Sequence, residues 1–317
     1  MQRGSPGIFK DGAQQLGRLV PLVALEPEEY RGLVRKVLIE RADADAGLLG
    51  HARRRKPVRS LLRQNLNSGL EDGRDELVVF TVVRKDDARI ETMECHMTSL
   101  TVPPLAPLLD RLFEQAAAAE TATEAAVADL SAAEQARLMR SKTDYAGLYG
   151  RLKNVPLAIS RATGALLYML ARTSRARTIV EFGTSFGIST LHLAAALRDN
   201  GGGRLITSEF EPCKVVRARD NLKAGGLVDL VEFRQGDALR TLSLDLPETV
   251  DLLLLDGAKG LYPDILSLLE SRLRPGALVV ADNADDSPDY LARVRAPANG
   301  YMSVPFAEDV ELSMRSG

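Results

Sequence analysis

The sequence has little cysteine, and its two thiols are far apart. Cys95 and Cys213 are the only cysteines among 317 residues, and neither stands in a CxxC pair. A disulfide framework and a cysteine-based zinc site both need more thiols at closer spacing. We therefore expect neither, and the composition is typical of a protein from a reducing compartment.

The chain also lacks long apolar runs and an excess of charge of one sign. Its apolar runs are far shorter than the roughly 20 residues that cross a bilayer, and the first 20 residues contain no apolar stretch of signal-peptide type. We therefore expect a cytoplasmic protein with no membrane partner. The formal net charge of −2 does not supply the positive field that nucleic-acid binding generally uses, so nucleic acid is not an expected partner.

Composition changes near residue 97, and we predict a domain boundary there. Residues 1–96 contain a basic run, HARRRKPVRSLLRQ, and two segments, ELVVFTVVR and ARIETMECHM, that flank a turn and predict a β-hairpin. We interpret residues 1–96 as an uncharacterised, poorly ordered extension, with the basic run as a solvated segment rather than an RNA contact. Residues 97–317 are predicted to be the functional domain.

The functional domain begins with helical composition and continues with alternating strands and helices. The alanine-rich residues 105–139 predict two helices, the second capped by Ser131, and a further helix is expected from Pro156 to about Arg172. Beyond residue 177, five strand and helix units follow one another, and the last segment, GYMSVPFAEDVELSMR, predicts an antiparallel pair. This order predicts an α/β fold with a mostly parallel sheet that helices cover on both faces.

Acidic side chains follow four of the predicted strands. Parallel strands deliver the residues at their carboxyl ends to one edge of the sheet, where ligands of such folds bind. The residues concerned are Glu181, Glu209, Asp256 and Asp282, the last followed by Asn283. We therefore place the candidate site at this edge.

The loop after the first strand of this series reads EFGTSFG and lacks the G-x-G-x-x-G spacing of a dinucleotide site. Gly183 and Gly187 permit close backbone approach, and Glu181 suits a ligand that carries positive charge, such as the aminoacyl part of S-adenosylmethionine (SAM). Glu209 can accept hydrogen bonds from a ribose diol. A glycine turn that serves only packing is the alternative for each signal alone; their succession favours a nucleoside ligand.

The segment from about residue 141 to 317 resembles the small class I O-methyltransferases that include catechol and caffeoyl-CoA O-methyltransferases. The motifs that carry the resemblance are EFGTSFGIS, SEFEP, LLDGAKGLYPD, LRPGALVVADN and SPDYLARVRAP, in the order of the family. It implies a Rossmann-like SAM methyltransferase fold with seven strands, the last antiparallel, preceded by helices. It also implies a SAM-dependent, metal-dependent methylation of a hydroxyl on a small phenolic, catechol-like acceptor, by an enzyme that forms a homodimer through the helices before the first strand.

The resemblance assigns roles to individual residues. Asp256, Asp282 and Asn283 correspond to ligands of a divalent cation, and three hard oxygen donors suit Mg²⁺. Lys259 corresponds to the catalytic lysine, which would accept the hydroxyl proton if the cation and burial lower its pKa. The residues expected at the cofactor are Glu181, Gly183, Ser185, Ser189, Glu209, Asp237 and Asp256.

Alternatives remain open for these assignments. Asp282 and Asn283 could simply cap the following helix, and Lys259 could be a solvated surface lysine. For the whole chain, the alternatives are methylation of a nitrogen or a nucleic-acid base on the same fold, and a SAM-binding protein without turnover. The LDGAK segment lacks the Asn/Asp-Pro-Pro-aromatic loop that is associated with amine methylation, which disfavours the first of these.

The acceptor pocket departs from the pattern of the animal catechol enzymes. Gly257 and Ala258 stand where those enzymes have bulky aromatic residues, so a more open pocket is expected. The acidic residue that contacts the second hydroxyl has only loose counterparts here. The candidate residues around the pocket are Glu308, Asp309, Tyr149, Ile159 and Tyr301, whereas His192 is interpreted as a core or helix-surface residue rather than a metal ligand.

Overall fold

The computed structural model describes residues 78–83, 90–95, 98–306 and 309–317. Strands β1 (Val78–Val83) and β2 (Ile90–Cys95) pair antiparallel, which confirms the predicted hairpin. The described residues do not include 1–77, which contain the basic run, nor the hairpin turn, nor Glu308. The prediction for residues 1–96 as a whole therefore stays a prediction.

Within the part of the chain that the structure describes, five α-helices precede the main sheet. They are α1 (Leu105–Ala118), α2 (Glu120–Val127), α3 (Ala132–Arg140), α4 (Tyr145–Arg151) and α5 (Arg161–Thr173). The prediction of two helices over 105–139 is wrong, because a break at Ala119 separates α1 from α2 and α3 follows as a third helix. Ser131 caps α3 as predicted, since its side chain accepts the backbone N–H of Glu134.

The predicted start of the next helix at Pro156 is also wrong. Helix α5 begins at Arg161, where the side chain of Ser160 accepts the backbone N–H of Thr163 at 2.9 Å. Residues 156–160 form no helix or strand, and the N–H of Leu157 donates to Oγ of Ser185 at 3.0 Å. A contact 28 residues away in sequence therefore holds this segment outside the helix.

The remaining elements alternate as the sequence predicts. The strands are β3 (Thr178–Phe182), β4 (Arg204–Glu209), β5 (Val231–Gln235), β6 (Val250–Leu255), β7 (Leu273–Ala281), β8 (Tyr301–Phe306) and β9 (Val310–Arg315). The helices between them are α6 (Ile188–Asp199), α7 (Pro212–Ala224), α8 (Ala238–Thr241), α9 (Tyr262–Leu269) and α10 (Pro288–Val294).

These seven strands form one sheet in the order β5-β4-β3-β6-β7-β9-β8. Strands β3 to β7 are parallel, and β9 pairs antiparallel with both β7 and β8. This is the predicted Rossmann-like methyltransferase topology, in which the last strand of the chain runs against the others. From β3 the chain continues to β4 and β5 on one side of β3, and then returns to β6 on its other side. Ligands of such folds bind where the strand order reverses, so the crevice is expected at the carboxyl ends of β3, β4 and β6.

Both faces of the sheet are buried under helices. Along β6, Leu252 and Leu254 pack with α1, α5 and α6, whereas Leu253 and Leu255 pack with α9 and α10. Alternate residues of a strand point to opposite faces, so this four-leucine run fills two cores at once. Each fully buried leucine contributes roughly 1.5–3 kcal/mol by its removal from water. This burial fixes the end of β6 and with it the position of Asp256.

Within the described residues, none of the helices is both long and apolar enough to span a bilayer.

Candidate functional site

A cleft opens at the carboxyl ends of β3, β4 and β6. Of the predicted cofactor residues, Gly183, Ser185, Glu209 and Asp256 line it. The wall also contains residues from α4, from the segment before α5, from the loop after β4 and from α7: Tyr145, Tyr149, Leu157, Phe210 and Lys214. The cleft is therefore bounded by the sheet edge on one side and by the N-terminal helices on the other.

Gly183 lets the β3 loop pass close to the end of β6. Its φ is +103°, and a Cβ at this position would lie 2.5 Å from the carbonyl oxygen of Asp256. Only glycine adopts this conformation without strain and without a clash. The contact brings the glycine loop and Asp256 to the same wall of the cleft.

Glu209 is held by backbone donors from two loops. Its Oε2 accepts the N–H of Ser185 at 2.9 Å, and its Oε1 accepts the N–H of Glu211 at 3.0 Å. Burial raises the pKa of this carboxyl, and these N–H groups and the Lys214 ammonium oppose the rise. The carboxylate is thus fixed in orientation at the end of β4.

Glu181 and Ser189 lie beneath the cleft rather than in its wall. Three hydroxyls donate to the Glu181 carboxylate, those of Ser189 at 2.5 Å, Thr190 at 2.7 Å and Thr207 at 2.5 Å. Burial raises the pKa of Glu181 to about 7, against the lowering effect of these hydrogen bonds. Glu181 therefore ties β3 to α6 and β4.

Asp237 is exposed and caps α8. Its Oδ1 accepts the N–H of Leu239 at 3.0 Å, while its neighbours Gly236 and Ala238 line the cleft. The Asp237 backbone is at the cleft, and its carboxylate serves the helix in this structure.

Lys259 is buried, so the interpretation of it as a solvated surface lysine is wrong. It is 4% exposed, and its Nζ donates to Oδ1 of Asp256 at 3.1 Å and to the hydroxyl of Tyr262 at 2.8 Å. Burial by itself lowers the pKa of the ammonium, but Tyr262 and Asp256 outweigh it, and the pKa of Lys259 lies well above its usual value. The expected lowering of this pKa is therefore not found in the protein alone.

Tyr262 is a site residue that sequence reasoning missed. It is fully buried, and its hydroxyl donates to the carbonyl oxygen of Asp282 at 2.8 Å. It connects the lysine to the end of β7 through one side chain. Its position three residues after Lys259, at the first turn of α9, was the available signal.

The two predicted aspartate ligands lie next to each other. Burial and the neighbouring Asp256 carboxylate together raise the pKa of Asp282 to about 7, against the lowering effect of Lys259. Asn283 has a left-handed backbone with φ of +48°, and its Nδ2 donates to Oδ2 of Asp309 at 2.9 Å. Among the described residues, no group of three or more His, Cys, Asp or Glu side chains forms a metal cluster by itself.

The other candidate pocket residues lie in different parts of the structure. Tyr149 lines the cleft, and burial raises its hydroxyl pKa. Ile159 is buried in the core around α5, and Tyr301 is buried with its hydroxyl donating to Glu270 at 2.8 Å, so neither lines the cleft. His192 is a core residue as interpreted, with Nδ1 2.8 Å from the carbonyl oxygen of Ile188.

Comparison with known proteins finds that part of the chain is similar to methyltransferases. Residues 180–284 match the sequence model of a family described as a methyltransferase domain. The chain is 35% identical over 130 residues to a catechol O-methyltransferase of Niastella koreensis and 35% identical over 136 residues to one of Mycobacterium tuberculosis. These alignments cover 40% and 43% of this chain and 58% and 61% of the two relatives, so the chain spans about three fifths of their length.

Among solved structures, the chain is similar to that of the O-methyltransferase TomG of Streptomyces achromogenes in complex with SAM. It has 30% sequence identity and a TM-score of 0.47, and the match covers 55% of this chain and 88% of that one. The family match and the named relatives confirm the resemblance to class I O-methyltransferases that the motifs predict.

Proposed function

We propose that this chain, which carries a class I methyltransferase domain over residues 180–284, transfers the methyl group of SAM to a hydroxyl of a small phenolic, catechol-like acceptor. The observation that carries the proposal is the convergence of Gly183, Glu209 and Asp256 on one cleft, with Lys259 hydrogen-bonded to Asp256 behind it. The relatives named as catechol O-methyltransferases support the same reaction class.

The cofactor would occupy the part of the cleft between the β3 loop and the end of β4. Gly183 permits close approach of its aminoacyl part to the backbone, and the fixed Glu209 carboxylate can accept a hydrogen bond from a ribose hydroxyl. The buried Glu181 and Ser189 would support this loop from below. In such a transfer, much of the acceleration comes from holding the acceptor oxygen and the methyl group at near-attack distance.

The residues present fit a divalent cation. Asp256 and Asp282 place two carboxylates side by side in a buried setting, which is unfavourable without a compensating positive charge. Asp256, Asp282 and Asn283 would hold such an ion, and oxygen donors favour Mg²⁺. When bound, it would stabilise the phenolate of the acceptor and offset the carboxylate charge that raises the pKa of Lys259.

The acceptor would lie against α4 and the segment before α5. Tyr149 and Leu157 line this part of the cleft, as do Gly257 and Ala258. A Cβ on Gly257 would come within 2.5 Å of the Phe182 ring, so the β6 end has no room for a larger residue. The aromatic wall therefore comes from α4 rather than from the loop after β6.

A methyl-transfer assay tests the proposal. Catechols, flavonoids, hydroxycinnamoyl thioesters and monophenols are each incubated with SAM, with Mg²⁺ and separately with a chelator, and methylated product is measured. We expect activity on vicinal diols that the chelator abolishes. Equal activity with the chelator would contradict the metal role of Asp256, Asp282 and Asn283, and no methylation of any of these phenols would contradict the phenolic acceptor.

A further inference from the structure

Among the described residues, Lys214 has no direct partner of opposite charge. It is 3% exposed, it belongs to the first turns of α7, and it lines the cleft. No described residue gives its Nζ a hydrogen bond or a carboxylate oxygen within 4.0 Å. Loss of water disfavours the ammonium, and only the longer-range attraction of carboxylates such as Glu209 opposes this cost. A ligand in the cleft can supply a direct hydrogen-bond acceptor.

Lys214 lies at the nucleoside end of the cleft. Helix α7 starts three residues after Glu209, so the lysine follows the carboxylate by little more than one helical turn. Burial lowers the pKa of Lys214, and among the carboxylates that oppose this lowering Glu209 acts most strongly and Asp256 most weakly. The acceptor must lie near Asp256 and Lys259, so the charge of Lys214 belongs to the other end.

Lys214 and Glu209 both line the cleft, so one ligand group can contact both. Each oxygen of Glu209 already accepts one backbone N–H, and each keeps a second lone pair for another donor. The ammonium is too far away for a direct ion pair, yet it still senses the carboxylate. A hydroxyl between them would accept from the ammonium and donate to the carboxylate, with two hydrogen bonds of about 2.7–2.9 Å.

We propose that Lys214 and Glu209 together bind the ribose diol of the cofactor, with Glu209 accepting from a ribose hydroxyl and Lys214 donating to a ribose oxygen. This assignment rests on the proposed function, because it takes the ligand to be a SAM-type nucleoside. It makes Lys214 a cofactor-binding residue on α7 that the strand-end motifs do not contain. With the ligand bound, the ribose oxygen would give the buried ammonium of Lys214 a direct hydrogen-bond partner.

Isothermal titration of the full-length protein with S-adenosylhomocysteine, the demethylated product of the cofactor, tests the assignment. Lys214→Met removes the charge and keeps the length of an apolar side chain. We expect it to weaken binding by about tenfold or more, because a hydrogen bond from a charged donor is lost. The matched control is Lys223→Met on the same helix, an exposed lysine 3.7 Å from Asp220, which should leave the affinity unchanged.

A second ligand locates the contact. The analogue of S-adenosylhomocysteine without the 2′ and 3′ hydroxyls should bind wild type and Lys214→Met with equal, weak affinity. If Lys214→Met weakens both ligands by the same factor, the diol assignment is wrong. If it leaves S-adenosylhomocysteine affinity unchanged but raises the KM of the acceptor, Lys214 belongs to the acceptor end instead.

Failure of the proposed function gives a different result. Wild-type protein that binds no S-adenosylhomocysteine contradicts the methyltransferase proposal, whereas normal wild-type binding that Lys214→Met does not weaken overturns only the role of Lys214. Circular dichroism checks that the variant folds. If it does not, Lys214→Gln, which keeps a neutral donor, is compared with wild type on the same two ligands, and equal loss or no loss again overturns the assignment.

Discussion

Two buried lysines flank the cleft, and they differ in how their charge is compensated. Lys259 has Asp256 and Tyr262 within hydrogen-bond distance, so its ammonium is fixed in one orientation. Lys214 has no such partner among the described residues and instead lines open space. A fixed cation suits the chemistry of one reacting atom, whereas an open one suits a ligand that arrives and leaves.

Replacement of Lys259 should separate turnover from binding. If Lys259 acts on the acceptor hydroxyl as proposed, Lys259→Ala should lower kcat by about 10²–10⁴-fold, the usual contribution of a positioned acid or base. Cofactor affinity, measured by titration with S-adenosylhomocysteine, should change less than about threefold. Lys142→Ala, an exposed lysine paired with Asp264, is the control. An unchanged rate would remove Lys259 from the mechanism.

Glu181 should make stability depend on pH. Its pKa is about 7 in the folded chain and about 4.5 when unfolded, so the folded state binds the proton more tightly. The stabilisation is complete below pH 4.5 and is lost as the pH rises through 7. The free energy of unfolding of wild type should therefore fall relative to Glu181→Gln by roughly 3 kcal/mol across this interval.

Urea unfolding of both proteins at several pH values between 4.5 and 8 measures this difference. Ser243→Ala, which removes an exposed hydroxyl that donates to the carbonyl oxygen of Arg240, is a control that should run parallel to wild type. Parallel curves for Glu181→Gln as well would show that Glu181 titrates normally and that its three hydroxyl partners offset burial.

At the level of elements, the loop after β3 needs a glycine at position 183 because a Cβ there would clash with the backbone of Asp256. This steric effect can be separated from the strain of a positive φ. Gly183 and Gly202 have almost the same φ, +103° and +102°, but a Cβ on Gly202 meets nothing within 4 Å. Gly183→Ala should therefore destabilise the fold by roughly 1–3 kcal/mol more than Gly202→Ala, which is the usual cost of overpacking. It should also weaken S-adenosylhomocysteine binding, because the alanine displaces the end of β6.

Thermal unfolding and titration of these two variants check the expectation. Equal destabilisation would mean that the loop yields to the added methyl group and that the close approach to Asp256 is not required.

The sequence predicted those elements whose pattern is local. Five strand and helix units could be identified from apolar runs, and Ser131 marked its helix correctly. The segment before α5 could not be assigned, because the hydrogen bond from Leu157 to Ser185 joins residues from two different layers. The break between α1 and α2 falls within an alanine-rich stretch that has no local signal for it.

For the site, the sequence predicted the strand-end residues and missed those that depend on packing. The acidic strand ends follow from topology once the order of strands is known. Tyr262 and Lys214 contribute through burial, and a lysine on a polar helix gives no sign of burial in its own sequence context. The raised pKa of Lys259 likewise depends on Tyr262 and could not be read from the LDGAK motif.

At the level of the whole molecule, we expect a homodimer that forms through the N-terminal helices. Helices α2 and α3 contain no buried residues, although alanine makes up much of α2, so they present small side chains to solvent. Size-exclusion chromatography with light scattering at micromolar concentration should give twice the mass of 34.4 kDa. A monomer at all concentrations would contradict this, and Ala125→Arg on α2 should dissociate a dimer that uses this face.

The separate origin of the two walls of the cleft has a consequence for how such proteins evolve. The residues that match the methyltransferase family, 180–284, contain Gly183, Glu209 and Asp256, whereas Tyr145 and Tyr149 lie before the match begins. If the cleft binds a methyl donor and an acceptor as proposed, mutations in α4 would change the fit of the acceptor and leave the strand-end residues unaltered. Relatives that share the sheet edge are expected to diverge first in this helix, and exchange of α4 between them offers a route to new acceptor preferences.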